Sequence, residues 1–132
     1  MDEASETNRR AIIRVDHGSR RAEAEGHLEA VVARVAERRP GWRVHHAHMD
    51  VGSPDLPRAI ERCVAEGACE IVVHPFFLNT GMHVQETIPQ LIETARAAHP
   101  QVSITQTDHL GLHDGLVEAV IDRVSEALQD DE

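Results

Sequence analysis

The residues of this sequence that could do chemistry are His17, Asp50, His83, and the pair His109 and His113. Each stands just past a stretch that reads as a β-strand. Imidazole together with carboxylate suits borderline divalent cations such as Co, Ni, Fe or Zn. The same pair suits proton transfer near neutral pH, where an unperturbed imidazole titrates. The backbone N–H groups of Ser19 and Arg20 are expected at a helix N-terminus, a seat for a carboxylate or phosphate. On residue chemistry alone two readings stay open: a metal or acid–base site, or histidines scattered in solvated loops. Nucleotide binding finds no support, because no loop carries a GxGxxG or GxxxxGK pattern. Nor is there an HExxH pair, or a Ser or Cys in a nucleophile elbow.

The elements that must position these residues follow from periodicity. Ile71, Val72 and Val73 predict a strand buried on both faces, which Pro75 ends. Asn79, Thr80 and Gly81 form a turn, His83 falls in the loop, and helical spacing starts near Val84. A first strand is read at Ala11 to Asp16, where Arg14 is awkward for a central position, and a second at Arg43 to Met49. A fourth runs from Gln101 to Thr107. Leu28, Val31, Val32 and Val35 give the first helix one buried stripe. The second helix has Asp55 as N-cap, Pro57 in its first turn and Gly67 as its stop. The third turns Ile88, Leu91, Ile92 and Ala95 inward, and the fourth carries Leu116, Val117, Val120, Ile121, Val124 and Leu128. Strand then helix, four times over with short loops, predicts an α/β fold: a four-stranded parallel sheet flanked by helices, (βα)4. In such a sheet every strand-to-helix loop arrives at the carboxyl edge, where ligands bind.

Composition bounds the partners. The 132 residues suit one domain, read as residues 10–129 between a solvated tail (1–9) and a short acidic tail (130–132). Thirteen Lys and Arg against 23 Asp and Glu leave a formal charge of −10, which argues against nucleic acid or an anionic membrane as partner. No apolar run approaches bilayer length, and the first residues lack the apolar core of a secretory signal. Cys63 and Cys69 form no CxxC and are read as small buried thiols of a cytoplasmic protein. The strand histidines His45, His46 and His48 are expected to be structural or interfacial.

Several stretches, taken together, are similar to a known family. VDHGSRR (Val15 to Arg21), AHMDVGSPDL (Ala47 to Leu56), HPFFLNTGMHVQETIP (His74 to Pro89) and LGLH (Leu110 to His113) resemble the small class II chelatases of the CbiX and SirB type. The resemblance covers nearly everything from Ile12 to Leu128. It implies a single lobe that dimerises and inserts Co, Ni or Fe, as substrate, into sirohydrochlorin or a related anionic tetrapyrrole. It places the family's catalytic and metal-binding positions on His17, His83 and Asp50. Ser19, Arg20, Gly81 and His113 become the expected contacts to the tetrapyrrole, and no iron–sulfur cluster is expected because the cysteine cluster of some relatives is missing. The family usually has Glu at position 50, an acidic residue at Ser53 and Asp at Thr87. Those departures motivate an alternative, a non-catalytic metal or tetrapyrrole carrier. A flavodoxin-like interaction module is a third reading, supported by the βα alternation alone.

Overall fold

The computed structural model describes residues 9–18, 22–50, 52–79 and 81–128, with the backbone only for residues 22–25 and His83. Its elements alternate as expected: β1 (Arg10–Asp16), α1 (Ala22–Arg38), β2 (Arg43–His48), α2 (Leu56–Ala65), β3 (Glu70–Pro75), α3 (Met82–Ala98), β4 (Ser103–Gln106) and α4 (Asp114–Leu128). The four strands are all parallel, in the order β2-β1-β3-β4. The chain leaves β1 toward β2 on one side and leaves β3 toward β4 on the other. The crevice between the carboxyl ends of β1 and β3 is therefore the topological switch point of the sheet.

Strand alternation sorts the side chains onto two unlike faces. On one, Ala11, Ile13, Val15, Ala47, Ile71, Val73 and Ile104 pack against Leu56, Ala59, Ile60 and Cys63 of α2 and Val84, Ile88 and Ile92 of α3. All are buried, and side chains of the size of Ile60 or Ile88 each gain roughly 1.5–3 kcal/mol from that burial. Burial also pushes the Cys63 thiol up to about 12, so it stays a neutral, inert packing group. Helix α2 is closed at both ends as the sequence predicts. The Asp55 carboxylate accepts from the Arg58 N–H at 3.0 Å, Pro57 occupies the first turn, and Gly67 takes φ +98° just past the end.

The other face corrects several expectations. Val72 is only half-buried, so β3 is covered on one face rather than both. The α1 stripe of Leu28, Val31, Val32 and Val35 is half-buried as well. The cause is what lies beneath α1: Arg14 and Asp16 of β1 and His46 and His48 of β2, which limit apolar contact. Helix α4 buries no residue at all, and Val117, Val120, Ile121, Val124 and Leu128 stand 48–70% exposed. Cys69 is exposed, unlike Cys63. Among the described residues no helix is long and apolar enough to cross a membrane.

Candidate functional site

The sheet does not stop where its strands are ruled to end. The Met49 and Asp50 N–H groups bond to the carbonyls of Asp16 (2.8 Å) and His17 (3.0 Å), and the Phe76 N–H bonds to that of Val15 (2.7 Å). The first residues of three connections are thus held at ladder spacing. His17, next to the switch point, and Asp50, leaving the neighbouring β2, are brought together by that continuation. The two were expected at one edge from 33 positions apart, and they meet there.

His17 Nδ1 lies 2.9 Å from Asp50 Oδ2, with both side chains more than half exposed. An ionised carboxylate can only accept, so Nδ1 carries a proton, and the tautomer that serves as a ligand presents its lone pair at Nε2. This carboxylate–histidine arrangement is the one that orients an imidazole toward a metal or a proton. The ring's other support is Phe77, 4.6 Å away centroid to centroid and edge-on at 61°. Phe77 is buried in the apolar core, so the site histidine rests on the well-packed face.

A second cluster was not anticipated from sequence. Asp16, only 5% exposed, accepts from Arg14 Nη1 (2.6 Å), His48 Nδ1 (2.6 Å) and the Gly18 N–H (2.7 Å). The last of these fastens the turn that carries His17, with Gly18 at φ +89°, where a side chain would be strained. The His48 ring in turn lies under Gly52, where an added Cβ would come within 3.0 Å of it. The available signal was Asp16 itself, a carboxylate ending a buried strand on the same face as Arg14. Its partners depend on strand register, which pairs Arg14 with His46 and Asp16 with His48.

The remaining positions are less convergent. His83 is the second residue of α3 rather than a loop residue, because the helix begins at Met82; its side chain lies outside the described residues, as do Ser19 and Arg20. Gly81 is the extended N-cap residue of α3, and a Cβ there would meet nothing within 4 Å. His113 uses Nδ1 to accept from the Gly115 N–H at 2.8 Å, capping α4; no hydrogen bond joins it to His17 or Asp50 among the described residues. His109 lines a cavity of about 120 Å³ between α3 and the end of β4, with Pro75, Val84 and Thr107. His45 bonds to Glu66 at 3.0 Å and His74 to the Thr107 hydroxyl at 2.8 Å. Among the described residues no three His, Cys, Asp or Glu side chains converge as a ready-made metal site.

This architecture is shared with solved CbiX and SirB structures. A CbiX protein from Marinobacter aquaeolei VT8 superposes with TM-score 0.79 and 28% identity, over 91% of this chain and 98% of that one. The sirohydrochlorin chelatase SirB from Bacillus subtilis, in complex with cobalt, gives TM-score 0.78 and 28% identity, over 89% of this chain and 50% of that one. In sequence, 117 residues are 39% identical to the chloroplastic sirohydrochlorin ferrochelatase of Arabidopsis thaliana, covering 89% of this chain and 52% of the relative. The chain spans about half the length of the first curated relatives it matches. Fold and edge-mounted histidine thus define a chelatase-like α/β lobe. With residues 11–127 matching the CbiX family model, the chain belongs to the CbiX family.

Proposed function

We propose that this protein is a metal chelatase, inserting Co, Ni or Fe into sirohydrochlorin or a related anionic tetrapyrrole. The observation that carries the proposal is the His17–Asp50 pair, with His17 beside the β1/β3 switch point, in a chain of this family. Insertion replaces two pyrrole N–H protons by one divalent ion, so the site must present a ligand to the ion and accept protons. His17 does the first through Nε2, its tautomer held by Asp50. His83, at the start of α3 across the switch point, is the second ligand or base. The ring nitrogens of the tetrapyrrole complete the ion's coordination as it leaves the protein. The family resemblance assigns the substrate carboxylates to Ser19, Arg20, Gly81 and His113, a role suited to helix N-termini. The chemistry calls on neither a nucleotide nor an iron–sulfur cluster.

The same proposal includes a homodimer in the cytoplasm. One lobe offers the substrate a single wall, and the chain matches half of SirB. Helix α4 carries an exposed apolar stripe at helical spacing, the feature a second copy would cover. Two unpaired cysteines fit a reducing compartment.

A carrier reading rests on the departures from the family pattern at Asp50, Ser53 and Thr87. One experiment separates the two. Sirohydrochlorin absorbance is followed with Co²⁺, Ni²⁺ or Fe²⁺ and catalytic amounts of protein. Repeated turnover above the uncatalysed rate supports insertion. Binding of metal or tetrapyrrole at one equivalent with no acceleration overturns it in favour of a carrier.

A further inference from the structure

Arg14 sits at the centre of the sheet, 4% exposed, between His46 of β2 and His74 of β3. Its guanidinium is used on one edge and one face. Nη1 donates to Asp16, and Phe76 lies 4.9 Å from the guanidinium carbon. Nε and Nη2, both buried, have no hydrogen-bond partner among the described residues. These two nitrogens form the side-on edge of the guanidinium, whose parallel N–H bonds match the two oxygens of a carboxylate or phosphate. Leaving charged donors dry and unpaired is costly, so such an edge marks a place where an acceptor belongs.

Arg14 also lines a cavity of about 70 Å³, together with Leu28, Glu29, His46, His48 and Ser53. That space holds several waters or one small anion. It reaches from the middle of the sheet at Arg14 and His46 to Ser53, in the connection that also carries Asp50. The cavity wall holds one cationic and two imidazole side chains against a single carboxylate, Glu29. Desolvation by burial, helped by the His48 and Arg14 charges, holds His46 toward its neutral form, so its ring is available as a donor without adding a second fixed charge.

We propose that this cavity is a binding site for one small oxyanion group, a carboxylate or phosphate, gripped by the Nε/Nη2 edge of Arg14. The group could be a free ion or a peripheral carboxylate of the tetrapyrrole, and only the second source rests on the chelatase reading.

The test uses calorimetric titration of the full chain with inorganic phosphate and with acetate, at ionic strength held constant with chloride. Arg14→Lys keeps a cation beside Asp16 but removes the fork, and Glu29→Gln removes the opposing carboxylate from an exposed helix position. For a free ion, saturable binding weakens about tenfold or more in Arg14→Lys and tightens about threefold in Glu29→Gln. For a substrate carboxylate, free ions bind weakly or not at all, and the Kd of metal-free sirohydrochlorin shifts in those same directions. Wild-type turnover, measured separately, shows whether the chelatase reading itself stands. If phosphate, acetate and sirohydrochlorin all bind wild type and Arg14→Lys alike, or do not bind at all, the cavity is only a hydrated gap and the proposal is overturned.

Discussion

The two faces of the one sheet are built from different materials. Toward α2 and α3 the strands present hydrocarbon, closed to solvent from Ala11 to Ile104. Toward α1 they present Arg14, Asp16, His46, His48 and His74, tied by short polar contacts, with His46 and His74 only half-buried. Neighbouring residues of one turn divide between them. His17 rests on Phe77 of the hydrocarbon side, while Asp16 faces the ionic side and holds the turn from beneath. The first face supplies a rigid seat and the second sets the tilt of what sits on it. A polar cluster so close to a candidate site therefore need not be part of its chemistry.

Substitutions can break or sharpen this contrast. The largest effect is expected from Asp16→Ala, which strands Arg14 as a buried cation and frees the Gly18 amide. It should cost about 3–5 kcal/mol in urea unfolding, and a cost near zero would show the ionic face to be dispensable. Next, Ile13→Ala on the hydrocarbon face should cost about 2–5 kcal/mol by cavity formation. Val124→Ala, on the unburied stripe of α4, should fall within about 0.5 kcal/mol when measured on the monomer. Should the α4 change destabilise as much as the core change, that helix is packed in solution.

At the site itself the effect is on activity. Asp50→Ala should lower metal affinity or turnover about 10–100-fold, with Tm almost unchanged because exposed pairs contribute only about 0–1 kcal/mol. Asp50→Glu should preserve or raise activity, and parental turnover in Asp50→Ala would make the carboxylate a bystander. The smallest effect is on pH. Burial lowers the His46 and His74 pKa values below 6.5. As pH falls below that value the unfolded chain takes up protons that the folded one refuses, so stability is complete at neutral pH and declines on acidification. Replacing both by Gln should flatten Tm between pH 7 and pH 5, and an unchanged slope would place the titrating groups elsewhere.

Much of this was legible in the chain. Periodicity and turn residues yield the (βα)4 order, the Asp55 cap and the Gly67 stop, because these are local. The meeting of His17 with Asp50 was also foreseeable, since parallel topology alone sends both to one edge. Asp16 escaped notice because its partners are fixed by register between strands, which no local pattern encodes. Arg14 looked awkward for a central strand and is central, its charge balanced by a residue two positions on. The α4 stripe has ordinary core spacing, and nothing in that spacing tells whether the covering surface belongs to the same molecule. The helix after β3 begins at Met82 rather than near Val84, so His83 lies in its first turn and not in the loop, the common uncertainty of helix starts.

The backbone bonds that carry the ladder past the ends of the strands also govern motion. Connections of an α/β sheet ordinarily open on their own, at little free-energy cost. Here the amides of Met49, Asp50 and Phe76 cannot reach solvent unless β1 parts from its neighbours. In native-state hydrogen exchange they should therefore be protected like strand amides, with the Arg58 amide at the exposed start of α2 exchanging sooner. The edge that presents His17 and Asp50 would then share the slow clock of the sheet and keep its spacing while the surrounding surface fluctuates.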